Sequence, residues 1–181
     1  MTIHDTNTPA QFASTGIDLA PGRYRLDRNL TSVRFSARKF GVFTIRGSVS
    51  VVDGEFTVGP RLEESTLHAV LDAATFRTPM AKRDEHVHGA SLLDVARFPS
   101  MEFDSTDVAG TAEGWDIRGV LTVHGKVAPA VLVVSSAWQE GALVRVEART
   151  RVDRRAFGVT RMRAAASAHV DVRIDAVGTR I

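Results

Sequence analysis

The sequence predicts an all-β fold: a single antiparallel barrel of roughly eight strands with one or two short helices. Three observations predict it. Segment after segment alternates apolar and polar residues, the period of a strand with one buried face. No helical periodicity persists beyond a few turns, except over Arg83–Val95. The last two segments carry charge on one face and aliphatic side chains on the other. Val144, Val146, Ala148, Thr150 and Val152 alternate with Arg145, Glu147, Arg149, Arg151 and Asp153, and Val170, Val172, Ile174 and Ala176 alternate with Asp171, Arg173 and Asp175. The charged faces meet water, so the aliphatic faces, Val146, Ala148, Val172 and Ile174 among them, point inward.

The elements follow in order. Residues 1–20 are rich in Thr, Asn, Pro and Ser and are expected as a flexible segment, unless Phe12 or Ile17 docks on the body; the barrel domain is expected over 21–181. Strands are expected at Arg23–Asp27, at Val33–Arg38 and at Ile45–Val52, where Asp53-Gly54 is a turn signal and Phe56–Val58 continues the sheet. Ser65–Ala73 puts Leu67, Ala69 and Leu71 on one face. Lys82–Val95 is a charged, helix-capable excursion, and Pro99 ends any local helix at Phe98. Met101–Thr106 returns to strand alternation, Trp115–Gly119 and Leu121–Val123 follow the turn at Gly114, and His124-Gly125 is a further turn. Ala130–Val134 is continuously apolar and is expected to be buried on both faces; the Ala-rich Met162–Ala168 is helical turn, strand or loop.

Bulk properties narrow the function classes. The 181 residues suit one domain with a real core, with 44% hydrophobic and 24% charged residues. There is no Cys, which removes disulfides, thiolate metal sites and Cys nucleophiles. A net charge of +2 is too small to argue for nucleic acid. The N-terminal stretch has neither a basic region nor a continuous apolar core, so it reads as neither a secretory signal nor a membrane anchor, and a cytoplasmic location is expected. The basic residues crowd into Arg145–Arg163, opposed by Glu147 and Asp153; the choice is between a solvated strand face, which is favoured, and an anion site.

Few residues suggest chemistry. His86-Val87-His88 is the one H-x-H; on a strand the two rings face the same way and can share a metal, with Asp94, His124 or His169 as further ligands. No carboxylate and later histidine stand in register to complete such a site. Ser32, Ser105 and Thr122 lack a nucleophile-elbow context. Phe35, Phe40, Phe43, Phe76 and Phe103 lie on or beside strands; in a barrel, core and pocket lining are one surface.

The stretch Arg83-Asp84-Glu85-His86-Val87, then Leu93-Asp94, then Phe98-Pro99-Ser100-Met101-Glu102-Phe103-Asp104-Ser105-Thr106 resembles the YceI-like, lipocalin-like polyisoprenoid-binding family. Gly22–Asp27, Ser32–Arg38, Gly119–Pro129 and Val152–Val159 resemble its other blocks, in the same order, over about residues 22–177. Leu30 and Lys39 stand where the family often has histidine, and Ala156 where it has an acid before Phe157-Gly158. The resemblance implies an elongated barrel whose hydrophobic interior takes a long isoprenoid tail, with no catalytic residue set, no cofactor and no metal. On that reading the pocket is lined by Phe35, Leu71, Phe76, Phe103, Leu121, Val146, Val172 and Ile174, and Arg83, His86, Arg154 and Arg155 are the candidates for a headgroup contact at its mouth.

The expected function is non-enzymatic binding, transport or storage of an isoprenoid or similar long apolar molecule. Its alternatives are a metal-dependent barrel enzyme using His86 and His88, and a solid-cored structural or stress-response module. The expected partner is the apolar small molecule itself, without nucleic acid or stable membrane insertion, and with a homodimer left open.

Overall fold

The computed structural model describes residues 19–161 and 167–181. Among these residues nine strands form one antiparallel sheet: β1 (Gly22–Leu26), β2 (Ser32–Lys39), β3 (Phe43–Val58), β4 (Thr66–Arg77), β5 (Ser100–Thr111), β6 (Gly114–Val123), β7 (Lys126–Glu140), β8 (Leu143–Asp153) and β9 (His169–Arg180). β3 pairs with β4, and both β1 and β2 are held between β3 and β9, so the sheet closes on itself. β1 and β2 lie end to end in one position. Nine strands therefore make eight staves, the closed antiparallel barrel that the alternation predicts. The helix α1 (Ala81–His88) and two 3-10 turns, Leu62–Glu64 and Arg154–Phe157, complete the described elements. Phe12, Ile17 and most of the Ala-rich stretch, Arg163 included, lie outside the described residues.

The described chain starts already anchored. Leu19 is buried against Tyr24, Val58, Ala137 and Val144, and the Ala20 amide donates to the Gln139 side chain at 2.9 Å. This cluster, with Phe56 stacked on Tyr24 at 5.0 Å, fills one end of the barrel. The other end is covered by α1, the following loop and the Arg154–Phe157 turn, which pack Leu93, Val123 and Phe157 together with Val87 and Val159.

Three local expectations are corrected. Asp53-Gly54 is not a hairpin turn: β3 runs straight through it, with a register shift between Val51 and Asp53. A bulge there bends a strand that must span the full barrel height. Ala130–Val134 is not buried on both faces, because the wall is one layer thick; Leu132 and Val134 point in while Val131 is exposed. The helix is shorter than Arg83–Val95. It stops at His88, and the chain doubles back so that the amides of Leu93 and Val95 bond the carbonyls of Val87 and His88, satisfying two acceptors at its end.

Two glycines let the wall curve. A Cβ on Gly47 would lie 2.3 Å from Phe35 Cζ, and one on Gly119 would lie 2.6 Å from Phe103 Cζ and 2.3 Å from the Asp104 carbonyl oxygen. Each phenylalanine thus lies flat over a neighbouring strand's bare backbone, the arrangement by which an aromatic ring covers a glycine and the sheet bends. Gly119→Ala is expected to cost about 1–3 kcal/mol through forced displacement, lowering the melting temperature by roughly 2–4 °C per kcal/mol. Gly110→Ala, whose Cβ would meet only Leu62 Cδ2 at an ordinary 3.5 Å, is the control expected to melt with the wild type in a thermal scan.

Candidate ligand cavity

Eight staves enclose an interior that the inward side chains do not fill. Between the two packed ends lies a cavity of about 390 Å³. A site for one water needs only about 10–15 Å³, so this space is of ligand size. Every staved segment contributes to its wall. All eight residues read from the alternation and the resemblance, Phe35, Leu71, Phe76, Phe103, Leu121, Val146, Val172 and Ile174, line it. Phe35 and Phe76 stack at 4.5 Å, forming one aromatic surface across β2 and β4. Sequence reasoning missed Val87, Leu92 and Leu93, which reach the cavity from α1 and its loop. The adjacent Leu92-Leu93 pair inside a charged excursion was the available signal. Phe40 and Phe43 are not part of the core: they sit at the β2–β3 hairpin and are exposed.

Among the described residues, the charged side chains in the wall are all cations: Arg83, Arg154 and Arg161, gathered at the helix end. Arg161 is exposed as well as lining, so the cavity reaches the surface there. Arg154 Nε donates to the Ser167 carbonyl at 2.9 Å, and its Nη1 donates to the carbonyls of Val159 and Arg161. It therefore holds Val159, Arg161 and Ser167 beside the 3-10 turn. Of the four expected headgroup contacts, His86 and Arg155 do not line the cavity. Successive helical residues turn by about 100°, so Arg83, Asp84 and Val87 share the inward arc and His86 falls outside it. Arg155 is held outside by Asp153, with Nη2 to Oδ2 at 2.7 Å. The arginines of β8 follow the same logic: Arg151 pairs with Asp171 at 2.7 Å on the outer wall, so this face is solvated. Its exposed pairs add little stability.

The metal reading loses its geometry for the same reason. On α1, His86 and His88 point about 200° apart instead of sharing a strand face. His88 Nε2 is 2.9 Å from the Phe76 carbonyl, and His124 lies edge-on to Phe98 at 4.9 Å. Among the described residues no three His, Asp or Glu side chains are grouped to hold a metal. Ser105 Oγ accepts the Leu67 amide at 2.7 Å, a structural use of that hydroxyl.

Asp84 locks α1 onto the barrel. Its two carboxylate oxygens each accept the Thr78 amide at 3.0 Å, and Oδ1 also accepts the Thr78 hydroxyl at 2.7 Å. Burial pushes the carboxyl up, but the Thr78 amide and then its hydroxyl outweigh it, with His88 and Arg83 nearby, and the net shift is downward. A carboxyl lowered in the folded state contributes stability that is fully present above its unfolded value, about pH 4, and is lost as pH falls through the folded value. Asp84→Asn is therefore expected to melt below the wild type at neutral pH, by the equivalent of about 1–3 kcal/mol. The gap between the two proteins should shrink as melting is followed down from pH 4, because the wild type alone loses this contribution.

One atom in the wall stands out. Thr150 Oγ1 is buried and has no hydrogen-bond partner among the described residues, and Thr150 lines the cavity. An unsatisfied buried hydroxyl costs roughly 1–3 kcal/mol. Thr150→Val, which replaces it with a methyl group, is expected to raise the melting temperature by about 2–4 °C per kcal/mol recovered; an unchanged or lower value would mean that the hydroxyl is satisfied in solution.

The barrel fold is one that this chain shares with known proteins. The family model for the YceI-like domain matches residues 24–178, and the chain belongs to this family. A UPF0312 protein of Vibrio cholerae serotype O1 is 28% identical over 156 residues, covering 82% of each chain. Burkholderia cenocepacia BcnA superposes with a TM-score of 0.74 at 20% identity, over 85% of this chain and 99% of its own. A polyisoprenoid-binding domain from Saccharophagus degradans, implicated in plant cell wall breakdown, superposes with a TM-score of 0.65 at 12% identity, over 87% and 98% of the two chains. No helix among the described residues is long and apolar enough to cross a membrane.

Proposed function

We propose that this protein binds, and thereby carries or stores, a polyisoprenoid or similar long apolar molecule inside the barrel, without catalysis and without a cofactor. The observation that carries this reading is the wall itself: mostly aliphatic and aromatic along its length, with cations, among the described residues, at one end. Each buried CH₂ contributes about 0.8 kcal/mol, so one five-carbon isoprene unit contributes roughly 3–4 kcal/mol. A few units exceed the roughly 4–15 kcal/mol cost of association. Affinity then comes from chain length, and the arginines select the headgroup. The S. degradans neighbour, described as polyisoprenoid-binding, supports the ligand class.

The arrangement suits an amphiphile whose polar or phosphorylated head sits at the helix end beside Arg83 and Arg161, with its tail running toward Tyr24 and Phe56. Two measurements test this. Organic extraction of the purified protein followed by mass spectrometry is expected to yield a prenyl lipid. Titration with a fluorescent polyprenol and its phosphate is expected to show uptake of both. Arg161→Glu should weaken the phosphate by about tenfold, leave the alcohol within about twofold, and lose its effect in high salt. A wild-type protein that takes up no apolar probe overturns the carrier reading. Equal losses for phosphate and alcohol overturn the headgroup assignment alone.

A further inference from the structure

The helix end carries a second feature that the cavity does not use. Phe40, Val42, Phe43 and Met80 are 62%, 78%, 67% and 53% exposed. The first three form and flank the tip of the β2–β3 hairpin, and Met80 immediately precedes α1. Exposed apolar residues scattered singly need no explanation, but a cluster does. Here a shallow groove is lined by Phe40, Phe43, Met80, Lys39, Arg46 and Arg83, and it shares Arg83 and Ile45 with the wall of the cavity.

The tip is also held in a costly conformation. Phe40 has φ +53°, in the left-handed region that bulky residues avoid, and Gly41 follows at φ +72°. A small polar residue makes this turn more easily, so the ring is presented outward at the expense of local stability. Lys39 Nζ lies 5.3 Å from the Phe40 ring centre, placing a cation directly beside the apolar tip. Arg38, Lys39 and Arg46 flank the hairpin, and Lys82 and Arg83 stand on the first turn of α1; Glu85 is the exposed carboxylate on the same helix. No described carboxylate forms an ion pair with Lys39, Arg46 or Lys82.

We propose that this hairpin tip docks the barrel on an anionic lipid bilayer, with Phe40, Val42 and Phe43 in the headgroup region and the surrounding cations on the lipid phosphates. The charge is the argument for a bilayer. A second copy of this face would bring cations against cations, whereas an anionic leaflet complements both the ring of charge and the apolar tip. Because the groove shares Arg83 and Ile45 with the cavity wall, docking sets the arginine-lined end of the barrel against the membrane, where a long apolar molecule can pass with little exposure to water. This last consequence rests on the function proposed above; the docking itself does not.

The test is flotation of the full chain with phosphatidylcholine vesicles, with and without phosphatidylglycerol, at low and high salt. Wild type is expected to float with the anionic vesicles, and to be released by salt. Phe40→Ser/Phe43→Ser and Lys39→Glu/Arg46→Glu should each lower binding by roughly tenfold or more. Trp138→Ser, which removes an exposed aromatic remote from the hairpin, should bind as wild type does. Circular dichroism checks folding, and uptake of a fluorescent polyprenol from vesicle-free solution should be unchanged in the docking variants, because none of these residues lines the cavity. Sedimentation velocity on the same proteins reports self-association. Failure of wild type to float with anionic vesicles, or hairpin variants that float as well as wild type, overturns the proposal. So does a dimer that the Phe40→Ser/Phe43→Ser protein dissociates in the absence of vesicle binding. Loss of polyprenol uptake with vesicle binding intact would overturn the carrier function and leave the docking surface standing.

Discussion

The ladder between β9 and the first stave closes the ring, and at Asp27–Thr31, between β1 and β2, it has no strand with which to pair. The chain mends this gap with local chemistry. The Asp27 amide donates to the Val177 carbonyl at 2.7 Å, and Thr31 Oγ1 takes the Val177 amide at 3.1 Å while donating to the same residue's carbonyl at 3.3 Å. Val177 is buried, so both of its backbone groups would otherwise be orphaned where water is scarce. With that rung supplied, every stave has a neighbour on both sides and the barrel has no open edge.

Closure dictates the rest. A closed single-layer wall has one wet face and one dry face, so alternation is enforced along β8 and β9, and the charged pairs Arg151–Asp171 and Arg34–Asp175 are confined to the outside. The inside belongs to apolar groups, and the phenylalanines that lie over Gly47 and Gly119 bend the wall while lining it. Capping is asymmetric. One end is filled by Leu19, Tyr24 and Phe56, whereas the other is covered by a helix held through Asp84 and by the turn that begins at Arg154. The polar fastenings of the lid are therefore found where the wall's cations are also gathered.

Periodicity made the barrel legible where one face is charged, as in Val144–Asp153, because a strand register with half its residues ionised has only one way to be buried. The same alternation put Val146, Val172 and Ile174 on the inward face. It failed where geometry departs from a simple strand. Ala130–Val134 has no polar residue to mark its outer face, so Val131 was misplaced. Asp53-Gly54 has the composition of a turn but serves as a bulge. His86 and His88 have strand spacing but sit on a helix, which only the Thr78–Asp84 contact and the packing of Val87 make evident. Phe40 and Phe43 resemble core residues in every respect except their place at a hairpin tip. The unsatisfied Thr150 hydroxyl and the size of the interior depend on how all eight staves meet, which no single segment records.

The same seam orders events in time. Arg34 and Asp175, partners across the closing ladder, are separated by 141 positions in the sequence. Staves from β2 to β9 each pair with their neighbour in sequence, across connections that are short except for 78–99 and 154–168, but the other edge of the first stave must wait for the last strand. Until β9 is in place, β8 and the early strands expose unpaired edges. Such long-range pairing slows folding and leaves collapsed chains open to association. The nascent barrel thus remains an open, adhesive sheet until its final step, and the gap mended by Thr31 lies on the seam formed at that step.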